Sequence, residues 1–132
     1  MTNQRQTRDR WATPSFWRSL MHAFAGLRAA ARTERNLRIH ALATLCVVLC
    51  AAWVDVSLTR WAILVLTIGL VICAELVNSA IERLVDLVQP EYHPLAGEVK
   101  DVAAAAVVVT AMTAVVVAGV ILLPALVEKI AG

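Results

Sequence analysis

The chain has 132 residues, 60% of them hydrophobic and 17% charged, with a mean hydropathy of +0.72. Soluble globular chains run about 45 to 50% apolar, so these figures argue against a water-soluble protein, and the length allows one domain. The net charge of +2 hides an asymmetry: residues 1 to 40 carry eight arginines against Asp9 and Glu34, whereas residues 41 to 132 carry four basic and eight acidic groups. No recognition module accompanies the basic segment, which argues against nucleic acid as a partner.

Residues 1 to 14 read as a polar tail and residues 15 to 132 as a single membrane domain. The tail is polar through Arg10 and lacks the short apolar core, followed by small residues, of a cleaved signal peptide. Pro14 and Ser15 form a helix start. From about residue 15 to 33, Phe16, Leu20, Phe24, Leu27 and Ala31 recur at steps of three and four, while Arg18, Arg28 and Arg32 fall outside that stripe. This is the pattern of an amphipathic helix lying in the headgroup plane. The same arginines can act simply as a positive-inside anchor.

Three stretches then approach the ~20 residues that a hydrocarbon core requires: about 37 to 54, 61 to 81 and 102 to 127. The first is short, and the third carries Pro124 near its end. The basic excess predicts a cytoplasmic N-terminus, with the turn at 55 to 60 outside, the loop at 83 to 100 inside and the C-terminus outside. Cys46, Cys50 and Cys73 fall within spans with no partner at zinc-finger spacing, and read as small packing residues. The Ala/Val-rich run from 103 to 117 suits close approach of membrane helices. None of the five glycines builds a phosphate loop or a dinucleotide fingerprint, so a nucleotide must be held in another way.

The second stretch carries the most informative pattern. Glu75, Asn78, Ser79, Glu82 and Asp86 follow at steps of three and four, which at ~100° per residue confines them to about one third of a helix circumference. A carboxylate at membrane depth is costly unless it is paired, metal-bound or facing protein, so the stripe marks a functional site. The structural alternative is a polar face that only hydrogen-bonds neighbouring helices. Glu75 lies about 10 Å deeper than Glu82 at ~1.5 Å per residue, so one site meets both cytosol and lipid.

With Glu34 beside the first span and Lys100-Asp101 where the third begins, these residues can assemble a site for a cation and phosphate. Hard divalent cations such as Mg²⁺ take one or two carboxylates plus phosphate oxygens, and lysine supplies a point charge. Glu75 then remains as general base for a hydroxyl presented from the bilayer. Phosphoryl transfer from a nucleotide to a membrane alcohol fits these parts. A small channel or transporter subunit would also bury carboxylates in a bundle, but would not call for Lys100-Asp101 and Tyr92-His93 on the cytoplasmic side. A membrane scaffold would not need the stripe at all.

The run Glu75-Leu-Val-Asn-Ser-Ala-Ile-Glu82, then Val85-Asp86, Glu91-Tyr-His-Pro-Leu-Ala96 and Lys100-Asp101, resembles the signature of the prokaryotic diacylglycerol kinase family, which includes undecaprenol kinases. The likeness covers about residues 16 to 125. It implies an all-α integral membrane enzyme of the bacterial inner membrane, with three transmembrane helices and one interfacial helix per chain. It further implies a homotrimer with active sites shared between chains, and transfer of the ATP γ-phosphate to a lipid alcohol with Mg²⁺. Carried over by position, the general base falls on Glu75 and the metal carboxylates on Glu34 and Glu82. Asn78 matches the family's asparagine in that site, and Asp86 a further acidic position. Glu91, Tyr92, His93, Lys100 and Asp101 match its nucleotide-contacting segment, to which Glu34 and Glu82 belong through the metal.

The chain departs from that pattern at His22-Ala23-Phe24, where diacylglycerol kinases tend to carry Tyr-Ser-Trp. Glu34-Arg-Asn-Leu-Arg-Ile-His40 and His93-Pro-Leu-Ala96 are similar to the undecaprenol kinase branch, whereas Trp53-Val-Asp-Val56 and Gly97 are closer to the diacylglycerol branch. The motifs therefore leave both lipids open as substrate.

Overall fold

The computed structural model describes residues 16 to 132, so the polar tail and the helix start expected at Pro14 and Ser15 lie outside the described residues. Four helices follow in chain order: α1 (Phe16–Thr33), α2 (Arg35–Trp53), α3 (Leu58–Val88) and α4 (Pro94–Ala131), with no strand among the described residues. The protein is an all-α membrane protein, because α2, α3 and α4 are each long and apolar enough to cross a bilayer.

Their lengths differ in a way that positions the site. The 19, 31 and 38 residues of α2, α3 and α4 correspond to about 28, 46 and 57 Å at ~1.5 Å per residue, against a hydrocarbon core of ~30 Å. A tight turn joins α2 to α3, closed by Val54 N–H donating to the Cys50 carbonyl at 2.9 Å and Val56 N–H to the Ala51 carbonyl at 3.3 Å. Asp55 takes a positive φ of 55° there. Since α2 ends and α3 begins at this turn, the excess of α3 projects from the opposite end, and it carries Glu82, Arg83 and Asp86.

Near the turn an apolar core joins three helices. Ala51 and Val54 from the end of α2, Leu64 from α3, and Ile121, Leu122 and Ala125 from α4 close around one another, with Val56 from the turn. Ala51 is fully enclosed and Leu64 nearly so. Small residues such as Ala51 and Ala125 let the backbones approach, which matters in lipid, where van der Waals packing drives helix association. α3 and α4 form the most extensive helix pair. Thr67, Thr110 and Thr113 return their hydroxyls to carbonyls one turn back in their own helices, so these three donors are satisfied within the helix.

Outside the core the helices present Leu42, Leu49, Leu66, Val109 and Val116 outward, as lipid-facing spans do. On α1, Phe16, Leu20, Phe24 and Leu27 also face away from the bundle, and only Ala30 of that helix is buried. The apolar stripe of α1 therefore meets the surroundings rather than its own chain, as an interfacial helix requires.

Candidate active site

Toward the other end of the bundle, apolar packing gives way to polar groups. Glu75, Asn78 and Ser79 are the buried polar side chains among the described residues, at 2%, 5% and 5% exposure. Glu82 is half-buried one turn farther on, and Asn78 Nδ2 donates to its Oε1 at 3.0 Å. Glu75 Oε2 and Asn78 Oδ1 are buried with no hydrogen-bond partner. Native proteins rarely leave such acceptors open unless a ligand, ion or water completes them.

The chain brings a third carboxylate alongside at the corner between α1 and α2. Glu34 breaks the two helices with an extended backbone (φ −90°, ψ 115°), and its side chain does not cap α2. It reaches sideways instead, where Oε1 accepts from Arg83 Nη2 of α3 at 2.7 Å and lies 3.3 Å from the Thr33 hydroxyl. The same Nη2 donates to Thr33 Oγ1 at 2.7 Å. The antiparallel course of α2 and α3 sets the first turns of α2 level with Glu75. Its carboxylate accordingly feels His40 and Asn36 of α2 together with Glu82 and Glu34. Sequence reasoning gave no role to Asn36, His40 or Arg83. Asn36 and His40 stand four residues apart and so share a helix face, a signal that was present but does not say which helix that face meets.

A second cluster lies where α3 ends and α4 begins. Lys100 of α4 pairs with Asp86 of α3. His93 caps α4, its Nδ1 accepting from Leu95 N–H at 3.2 Å with Pro94 in the first turn. Glu91, Tyr92 and Asp101 are exposed, Tyr92 at 91%. His22, where the family tyrosine would fall, is exposed on α1. Among the described residues no hydrogen bond or ion pair joins this cluster to Glu75, Asn78, Glu82 and Glu34.

The donors suit a hard divalent cation that arrives with phosphate. No three His, Cys, Asp or Glu side chains among the described residues form a site of their own, so a cage made by protein alone is absent there. Mg²⁺ is commonly held by one or two carboxylates plus substrate phosphate oxygens. Glu82, bonded to Asn78, and Glu34 at the corner between α1 and α2 are the carboxylates of that kind.

Fold and site together describe a small polytopic membrane protein with a polar cluster enclosed between its helices. The family model for prokaryotic diacylglycerol kinase matches residues 21–122, and the chain belongs to that family of lipid kinases. It is 43% identical to an undecaprenol kinase of Bacillus subtilis over 111 residues, covering 84% of this chain and 90% of that relative. Diacylglycerol kinases of a Synechocystis species and of Escherichia coli are 42% and 39% identical, over 86% and 72% of this chain and 65% and 78% of their own lengths.

Proposed function

We propose that the protein transfers the γ-phosphate of ATP to the hydroxyl of a membrane lipid alcohol, diacylglycerol or undecaprenol, at the cytoplasmic face of a bacterial inner membrane. The observation that carries this reading is the buried Glu75 carboxylate, with one oxygen unpartnered, set about two turns inside Glu82 on a single helix face. A hydroxyl entering from the bilayer meets Glu75, while a phosphate entering from water meets Glu82, Glu34 and Lys100.

In this mechanism Glu75 takes the hydroxyl proton, and the lipid oxygen attacks the γ-phosphorus. The bond from that phosphorus to the β-phosphate oxygen breaks, releasing ADP and the phosphorylated lipid, and the proton on Glu75 passes to solvent. Asn78 orients the Glu82 carboxylate through its 3.0 Å hydrogen bond. Glu82 and Glu34 are the residues that would hold Mg²⁺, which when bound neutralises charge on the transferring phosphate. Lys100 shifts from Asp86 to phosphate, and Asp101 and the Glu91, Tyr92 and His93 segment hold the rest of the nucleotide.

A homotrimer with shared sites accommodates the separation of the two clusters. Glu91 and Tyr92 are exposed and make no side-chain bond to the Glu75 group of their own chain, so a neighbouring chain is the natural recipient. The outward apolar faces of α2 and α4 are available for that assembly. The N-terminal arginines support a cytoplasmic N-terminus.

The decisive experiment offers purified protein labelled ATP with diacylglycerol and with undecaprenol in parallel. Label appearing in phosphatidic acid or in undecaprenyl phosphate names the substrate. ATP hydrolysis without label in either lipid would overturn the assignment.

A further inference from the structure

Arg83 stands outside the proposed machinery yet makes the shortest contacts to it. It follows Glu82 directly, so it lies ~100° away from the Glu75, Asn78 and Glu82 face. From there it reaches back to the corner between α1 and α2, where one nitrogen, Nη2, meets both Glu34 Oε1 and Thr33 Oγ1 at 2.7 Å. The pair is partly open to water, with the Glu34 side chain 25% and the Arg83 side chain 53% exposed.

We propose that Arg83 is the resident counter-ion of Glu34, holding with its guanidinium the carboxylate oxygen that a divalent cation needs, so that cation loading must displace it. The inference rests on the reading of Glu34 as a cation ligand. A guanidinium nitrogen and a divalent ion on the same oxygen would stand within about 4 Å of one another, and their repulsion outweighs the hydrogen bond given up. Displacement is feasible because the pair is exposed and only modestly stabilising. Until the cation arrives, the guanidinium keeps Glu34 neutralised and ties the corner to α3. Afterward the cation makes that link and Arg83 returns to water, where its half-exposed position already places it.

The test measures cation affinity rather than turnover. The full chain, purified in detergent with a non-hydrolysable ATP analogue, is titrated with Mn²⁺ while free Mn²⁺ is followed by its paramagnetic resonance signal. Arg83→Ala should bind Mn²⁺ about two- to fivefold more tightly than the parent, the fold-change expected from losing an exposed ion pair as competitor. Arg83→Lys keeps the charge but not the fork, and should fall between them. Glu34→Gln should weaken Mn²⁺ binding, and adding Arg83→Ala to it should change nothing further. Unchanged or weaker binding in Arg83→Ala, with Glu34→Gln still impaired, overturns the role of Arg83 and leaves the metal reading standing. A tightening that persists in the Glu34→Gln background overturns it as well, since it would mark a general surface charge. If Glu34→Gln leaves Mn²⁺ affinity intact, the metal reading falls and this inference with it. Should Arg83→Ala fail to assemble, Arg83→Gln, similar in length and uncharged, is judged by the same criteria.

Discussion

The two ends of the helix bundle solve opposite problems. At the turn between α2 and α3, Ala51, Leu64, Ile121 and Ala125 close an apolar core. At the α1 end, Glu75 and Asn78 are equally enclosed, yet each keeps an oxygen without a partner. Burial thus has two meanings within one helix: Leu64 and Glu75, three turns apart on α3, are both 2% exposed. The first contributes packing, and the second leaves a buried carboxylate oxygen open, which the proposed mechanism uses as its base. Changes at one end should therefore cost stability and at the other rate.

The sharpest break in that comparison is Glu75→Gln. The amide preserves shape and packing but accepts no proton, and general-base removal typically costs about 10² to 10⁴ in rate. kcat should fall by that amount while ATP affinity and assembly in detergent stay as in the parent. Near-normal turnover would rule Glu75 out as the base. Lost nucleotide affinity with intact assembly would place it in the cation site instead.

Glu34→Gln and Glu82→Gln come next. Each removes one anionic oxygen donor for a hard cation, so activity should drop and the half-saturating Mg²⁺ concentration should rise about tenfold, the equivalent of ~1.4 kcal/mol. Unaltered Mg²⁺ dependence in both variants would contradict the assignment. The opposite signature belongs to Leu64→Ala. Emptying that enclosed position should cost about 2 kcal/mol, the low end for a buried leucine, because lipid competes for the same contacts. The midpoint of detergent-induced unfolding reports the loss, and specific activity of the folded fraction should be unchanged. A Leu64→Ala variant that kept its stability but lost activity would erase the division between the ends.

Much of the site was legible because a helix preserves local spacing. The steps from Glu75 to Glu82 place those groups on one face whatever surrounds them, and the structure buries that face. The helix break at Glu34 likewise follows from the change from an amphipathic to an apolar pattern around residues 33 to 37. Contacts between helices were not legible. The pairing of Arg83 with Glu34 bridges 49 positions, and the approach of Asn36 and His40 to Glu75 depends on how α2 is rotated against α3, which no single-helix period determines. The loop expected at 83 to 100 shrinks to 89 to 93, because α3 runs to Val88 and α4 begins at Pro94: the polar stripe already put Glu82 and Asp86 on the helix, but hydropathy reports where lipid ends, not where the helix does. Pro94 did carry a start signal for α4, and the capping nitrogen of His93 is what it leads to.

Lys100→Ala tests the second cluster with a smaller effect. Its ammonium is paired with Asp86, so part of any gain on phosphate is offset by the pair it leaves. ATP KM should rise severalfold while lipid KM stays nearly constant, the mark of an interaction lost at one substrate. A change in lipid KM alone would make Lys100 a headgroup anchor.

The smallest expected effect lies at the far turn, where Asp55 holds a positive φ of 55°. Aspartate tolerates this left-handed region better than most residues, but a side chain there still carries strain that glycine does not. Asp55→Gly removes the strain at the expense of a more flexible unfolded chain, and the net should be a gain of about 0.5 kcal/mol or less. The turn sits beside the apolar core and about 25 Å along α3 from Glu75 at ~1.5 Å per residue, so kcat and both KM values should be untouched. Thermal or detergent unfolding of Asp55→Gly, run beside Asp55→Ala, separates backbone from side chain. If strain dominates, glycine should equal or exceed the parent and alanine should fall below it. If both variants lose the same stability, the carboxylate itself supports the turn, and this end of the molecule depends on a polar group after all.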